Sequence, residues 1–357
     1  MRLPGLFGIR AISIALVLLY HVGATALAPG LIEHRMRGVN IFFVLSGFLI
    51  TYILCREEDK RGFISLKAFY LKRALRIIPP LLPYLAALMI LTGLGIVAVK
   101  FSDIMYCLLF VRNVFPVPNF SGSAQTDHLW TLAVEEQFYL LWPLLLILLR
   151  TNRARLKFAI ALLLFSPIWH IICFRMAGGP QYVNHVRFDL TYDAILMGCC
   201  LALMRQEPRL LAYLRNPWLQ GRWFPAAALA GLVAVLYVGR LERVTYVITA
   251  LFINYAVEHE GGLLNYKPVM WLGKISYSLY IWQQLFCWGF SNHWLGRFPQ
   301  NLIASLAVGY LSFLFIEQPF TRLRQRVRFT PAAAGPAKQF PAGEPVPDAA
   351  SALASGD

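Results

Sequence analysis

The chain has 357 residues, 58% of them hydrophobic and only 14% charged, with a formal net charge of +15. An average soluble protein is roughly 45–50% apolar and about 25% charged, so the composition excludes a soluble fold and makes lipid the main solvent. Collagen-like and coiled-coil architectures are excluded too. Lys and Arg cluster between apolar runs, the pattern of membrane-protein loops, which argues against nucleic acid as the partner of that charge.

Apolar runs of membrane-crossing length recur in chain order at about 9–28, 38–55, 77–98, 128–149, 158–176, 188–204, 223–239, 243–258, 269–290 and 299–316. They predict an all-α, polytopic membrane protein of about ten transmembrane helices. The first run resembles a signal peptide, with Arg2 and Arg10 ahead of an apolar stretch and Ala26-Leu27-Ala28. Pro29 after the candidate cut disfavours cleavage, and Tyr20 and His21 are unusual in an apolar core, so the run reads as a retained helix. A shorter stretch, 103–116, is broken by Arg112 and Asn113 and reads as a partial or interfacial helix.

With the N-terminus in the cytoplasm, Lys and Arg divide 24 inside to 9 outside, which predicts an N-in, C-in topology. A full crossing at 103–116 would carry Arg150, Arg153, Arg155 and Lys157 outside. The expected organisation is a membrane-embedded domain over 1–325 and a disordered cytoplasmic tail, rich in Ala, Pro, Gly and Ser, over 326–357. The six cysteines form no CxxC pair, so neither a metal site nor a disulfide framework is expected.

Ionisable residues inside the apolar runs mark the candidate site, because a buried charge in lipid is kept only for a reason. Arg10 and His21 are 11 residues apart, which puts them on one helix face about 16 Å apart. His21 and Glu135, counted from opposite sides, both fall about 11–12 Å below the outer boundary. That depth permits a pair in which the carboxylate orients an imidazole for general-base or nucleophilic work. The plainer alternatives are a histidine satisfied by a neighbouring helix and a structural ion pair between Glu135 and an arginine such as Arg187. Glu136, Asn40, Ser46, Arg187, Asp189, Tyr277 and Gln284 fall at similar depth or at outer helix ends, as candidates to contact a substrate. Small and hydroxylated residues such as Ser46 are also ordinary glue between membrane helices. On the cytoplasmic side Arg73 and Arg76 share a helix face, where their guanidinium forks suit a phosphorylated donor or, more plainly, anionic lipid.

Together these pieces resemble the acyltransferase 3 family of integral-membrane acyltransferases. The resemblance runs from about residue 5 to 325. It is carried by Arg10 with His21, the Gly38–Phe43–Ser46-Gly47 segment, Arg73-Ala-Leu-Arg76-Ile-Ile-Pro79, Trp130-Thr-Leu-Ala-Val-Glu135-Glu136-Gln-Phe138-Tyr139, Arg187-Phe-Asp189 with Gly198, Ser276-Tyr277-Ser278-Leu-Tyr280, and Ile316-Glu317-Gln-Pro319-Phe320. It implies a ten-helix bundle of the bacterial inner membrane. That bundle would move an acyl group, usually acetyl, from cytoplasmic acyl-CoA to a hydroxyl of a cell-surface carbohydrate such as O-antigen, exopolysaccharide, peptidoglycan or a lipid-linked sugar. By family position Arg10 and His21 match an essential pair, and Arg73 and Arg76 match arginines linked to the donor. The chain has Trp282-Gln283 where many members carry Trp-His, so a histidine there is not needed for its chemistry. Some members append a soluble hydrolase-like domain. None is seen in these residues, which implies that the acceptor reaches the membrane core directly or through a periplasmic partner protein. Two other readings stay open: a proton-coupled solute transporter, and the same fold acting on another donor or acceptor, such as succinyl groups on glucans or acetyl on an antibiotic sugar.

Overall fold

A computed structural model of the chain describes residues 4–23, 36–114, 123–179, 186–238, 241–259, 262–290 and 293–326. Among the described residues there is helix and no strand. In chain order the helices are α1 (Gly5–His21), α2 (Met36–Arg61), α3 (Leu66–Gly93), α4 (Phe101–Leu108), α5 (Trp130–Leu148), α6 (Asn152–Met176), α7 (Phe188–Met204), α8 (Pro208–Leu214), α9 (Pro217–Gln220), α10 (Phe224–Val238), α11 (Glu242–Glu258), α12 (Lys267–Gln284), α13 (Gln300–Ser312) and α14 (Gln318–Arg326). A 3-10 turn, Ala124–Leu129, leads into α5, and π-turns follow α12 at Leu285–Gly289 and α13 at Phe313–Glu317.

A helix stands at each predicted apolar run. Among the described residues, five helical stretches are long and apolar enough to cross a bilayer by length and composition: Gly38–Arg61, Leu66–Gly93, Ala124–Leu148, Asn152–Met176 and Gln300–Gln325. Helix boundaries depart from the hydropathy limits, because hydropathy marks where a helix meets lipid while caps decide where it ends. α3 begins at Leu66 rather than near 77, since the Ser65 side chain accepts from the Ala68 amide at 3.4 Å and caps it. Lys67, Lys72, Arg73 and Arg76 therefore ride on helix rather than loop. α6 likewise starts at Asn152, where Thr151 accepts from the Ala154 amide at 3.2 Å. α4 has eight residues, a rise of about 12 Å, far less than a hydrocarbon core of about 30 Å. The end of the first predicted run and the expected tail beyond Arg326 lie outside the described residues.

In lipid there is no hydrophobic drive between helices, so close backbone approach and polar links hold them together. The tightest approach joins α2 and α7. A Cβ on Gly47 would sit 1.8 Å from the Ile195 carbonyl oxygen, and one on Gly198 would sit 1.9 Å from that of Val44. Only glycine at both points lets the two backbones touch. Trp142 Nε1 donates to Thr51 Oγ1 at 2.8 Å, tying α5 to α2. On the far side of α5, Leu140 and Leu148 are 58% and 74% exposed. Aliphatic residues left bare at helical spacing are what a lipid-facing surface requires.

One end of the bundle is a layer of ion pairs. Arg155 at the start of α6 donates to Glu58 Oε1 of α2 at 2.8 Å and to the Leu146 carbonyl of α5. Arg205 beyond α7 pairs with Glu258 at the end of α11, and Asn152 donates to Glu207 at 2.9 Å. The ends of α2, α5, α7 and α11 therefore lie together.

The glycine contact is testable by thermal unfolding in detergent. Gly198→Ala forces the α2 and α7 backbones apart and should lower stability by at least the ~1–3 kcal/mol typical of overpacking. Gly93→Ala, where a Cβ meets nothing within 4 Å, should be neutral or stabilising by up to about 1 kcal/mol. Equal melting of Gly198→Ala and wild type would refute the close approach.

Candidate active site

α1, α2, α3, α5 and α12 converge on a pocket lined by Arg10, Ser46, Arg73, Arg76, Thr131, Glu135, Ser276, Tyr277 and Tyr280. Its framework is a charge cluster built around Arg73. The Arg73 guanidinium reaches from α3 to α5, donating from Nε to Glu136 Oε1 at 3.0 Å and from Nη2 to Glu135 Oε2 at 3.4 Å. It lies over the Tyr139 ring, 3.8 Å from the centroid, a favourable cation–π placement. Tyr139, four residues after Glu135, points from the same helix face, and its hydroxyl is hydrogen-bonded to that of Ser46 on α2.

Two carboxylates on one guanidinium leave a negative charge, which the other arginines of the pocket offset. Arg10 lies in the field of Arg76, Glu317, Glu135 and Arg73, and its Nε donates to Ser276 Oγ at 3.1 Å. Neither Arg10 nor Arg76 has an ion pair among the described residues. The pocket therefore offers two guanidinium groups whose donors are largely unspent, in a medium where an unpaired charge is expensive. Such a site is complementary to a polyanion with several acceptor oxygens.

The sequence favoured His21 as the partner of Glu135, with an ion pair to an arginine as the alternative. The structure instead pairs Glu135 with Arg73 and places it on the pocket with Arg10, about 16 Å along α1 from His21. Depth counted from two different helix ends ignored the tilt and offset of the helices. Arg73 and Arg76, expected to act alike on the donor, are divided: Arg73 is held by both glutamates, while Arg76 faces the pocket unpaired. Glu136 is part of the same clamp.

His21 is the last residue of α1 and meets the Tyr20 ring edge-on at 5.1 Å. His128, not among the residues expected at the site, lies within electrostatic range of it. The His128 Nε2 faces the Ile281 carbonyl at 3.1 Å, and its Nδ1 is buried without a hydrogen-bond partner among the described residues. His128 opened the motif read as the start of the fourth predicted helix, and its position one residue ahead of Trp130's neighbour Leu129 was the only available signal.

The remaining expected residues are dispersed. Ser46 and Tyr277 line the pocket, and the Tyr277 hydroxyl donates to the Ile77 carbonyl at 2.9 Å. Asn40 is buried in α2. Gln284 donates to the Ala124 carbonyl at 3.0 Å, away from the pocket lining. Arg187 forks onto Asp189 at 2.9 and 2.7 Å, and Trp169 Nε1 donates to the same carboxylate at 2.8 Å. Asp189 lines a second, apolar cavity between α5, α6 and α7.

The division of the arginines predicts divided phenotypes. Arg73→Ala leaves two adjacent buried carboxylates without a counter-charge and should cost about 3–5 kcal/mol of stability, visible as reduced folded yield and a lower melting midpoint. Arg76→Ala should melt close to wild type. Restoration of Arg73→Ala by the added changes Glu135→Gln and Glu136→Gln would tie the loss to charge rather than packing.

A family model described as an acyltransferase domain matches residues 3–320. Among curated proteins, the chain is similar to the peptidoglycan O-acetyltransferase OatA of Listeria monocytogenes, with 27% identity over 89% of this chain and 56% of that protein. It is also similar to a Bacillus subtilis protein named "Putative peptidoglycan O-acetyltransferase YrhL", with 28% identity over 89% of this chain and 54% of that protein. The chain thus spans just over half the length of these relatives. No solved structure matches. The chain belongs to the acyltransferase 3 family, whose acyltransferase domain spans residues 3–320.

Proposed function

We propose that this protein moves an acetyl or other short acyl group from cytoplasmic acyl-CoA to a hydroxyl of a cell-surface carbohydrate. In this reading it lies in the bacterial inner membrane with ten crossings and both ends in the cytoplasm. The observation that carries the reading is the pairing of two properties on one helix face: Arg10 presents an unpaired guanidinium to the pocket, and His21 stands three turns further along α1. A donor whose phosphates sit among the arginines can extend its acyl end towards the imidazole. The arrangement of ends supports the orientation, since the ends of α2, α5, α7 and α11 gather in the layer that contains Arg155 and Arg205.

In the proposed reaction the acceptor oxygen forms a bond to the thioester carbonyl carbon as His21 takes the hydroxyl proton. The carbon–sulfur bond then breaks, and the CoA thiolate leaves with that proton. An acyl-histidine route gives the same products in two steps. The relatives' names make peptidoglycan one acceptor to test, beside O-antigen and exopolysaccharide. In this reading the acceptor reaches His21 from outside the membrane, directly or by way of a partner protein.

His21→Gln keeps size and hydrogen bonding but cannot hold a proton at neutral pH. Acetylated glycan per unit of inserted protein should fall about 10²–10⁴-fold if His21 is a base, and to nothing if it carries the acyl group. Near-normal turnover would remove His21 from the mechanism. For orientation, Arg153→Cys introduces an exposed thiol at the start of α6, where the native side chain is 79% exposed. An impermeant thiol reagent added to intact cells should leave it unlabelled, and labelling would reject the N-in, ten-crossing topology.

A further inference from the structure

Three side-chain links set four segments at one level of the bundle. Arg10 of α1 binds Ser276 of α12 at 3.1 Å, Tyr277 of α12 binds the Ile77 carbonyl of α3 at 2.9 Å, and Ser278 of α12 donates to Glu317 Oε2 at 2.6 Å. From Glu317 the chain continues through α14, which packs along α3. Arg324 follows Glu317 by seven residues, two helical turns, so it shares the Glu317 face about 10 Å further on. That displacement runs towards the start of α3, the side on which Arg73 and Arg76 stand. Arg324 is half-buried there, and the charges around it are Arg76, Arg73 and Glu317.

Among these neighbours only Glu317 offsets its charge, and Glu317 forms no ion pair with it. Arg73 is spent on Glu135 and Glu136, and Glu317 is engaged by the Ser278 hydroxyl. Arg324, Arg76 and Arg10 form no ion pair among the described residues. Arg324 and Arg76 repel one another, Glu317 offsets that repulsion only in part, and an anion that joins them recovers the rest.

The spacing assigns the anion. An acyl-pantetheine arm is about four to five residue lengths, roughly 15 Å when extended. This matches the separation of about 16 Å between His21 and Arg10. A donor with its acyl group at His21 therefore holds its pyrophosphate near Arg10 and Arg76. Its ribose 3′-phosphate lies further out, where α14 presents Arg324.

We propose that Arg324 is a donor-binding residue that takes the 3′-phosphate of the acyl-CoA, forming the outer step of an arginine ladder that continues through Arg76 to Arg10. This rests on the acyl-CoA reading above. The test is equilibrium binding of acetyl-CoA and of its 3′-dephospho analogue to the full-length protein in zwitterionic nanodiscs, so that anionic headgroups do not compete. Wild type should prefer acetyl-CoA by about ten- to a hundredfold, the worth of one charge-assisted contact. Arg324→Gln should lose that preference by weakening acetyl-CoA while leaving the dephospho analogue unchanged, which also certifies its fold. Arg324→Lys should recover part of it, as a point charge replaces a fork. If Arg324→Gln retains the preference or weakens both ligands equally, the assignment fails. If wild type binds neither ligand, the acyl-CoA reading itself fails.

Discussion

An unpaired guanidinium is costly in lipid, and this bundle is organised around how it pairs Arg73. One arginine draws two glutamates of α5 towards α3, and the aromatic face of Tyr139 closes the remaining side. Through the Tyr139 hydroxyl the same cluster holds Ser46 of α2. Three helices are thereby fixed by electrostatics where apolar contact alone gives no preference over lipid. The paired Arg73 contributes one wall of the pocket, and Arg10 and Arg76 remain available because Glu135 and Glu136 are already engaged. In the proposed function, stability and donor binding fall to different arginines within one turn of α3.

Much of the bundle was legible because lipid enforces a simple rule. Every backbone group must be satisfied within its own segment, so an apolar run such as 188–204 becomes α7 with the same limits. The rule weakens where a helix leaves lipid. α3 runs back to Leu66 because Ser65 caps it, and no hydropathy window registers a cap. The short α4 was legible for the opposite reason: Arg112 and Asn113 interrupt its apolar stretch.

The site was legible as a set of residues more than as a set of partners. Periodicity correctly places Arg10 and His21 on one face, since both are on α1. The Glu135–His21 pair required comparing heights on two helices, and an offset of a few residues between them is enough to give Glu135 a different partner. Ser276, Glu317 and Arg324 acquire meaning only through α12, whose Ser276, Tyr277 and Ser278 bind three different elements in succession. Such a hub is invisible along the chain because its contacts are 200 or more residues away for the first two of those side chains.

α3 contains Pro79, Pro80 and Pro83 directly after its arginines. Each proline removes the amide that would have bonded the carbonyl four residues earlier, so the carbonyls of Leu75, Arg76 and Pro79 lose their rungs. The Tyr277 hydroxyl donates to the neighbouring Ile77 carbonyl, whose own i+4 partner, Leu81, keeps its amide. Bending stiffness is therefore lowest just above Arg76. The softest part of α3 thus lies between the stretch carrying Lys67, Lys72, Arg73 and Arg76 and the rest of the helix, at the level of the pocket.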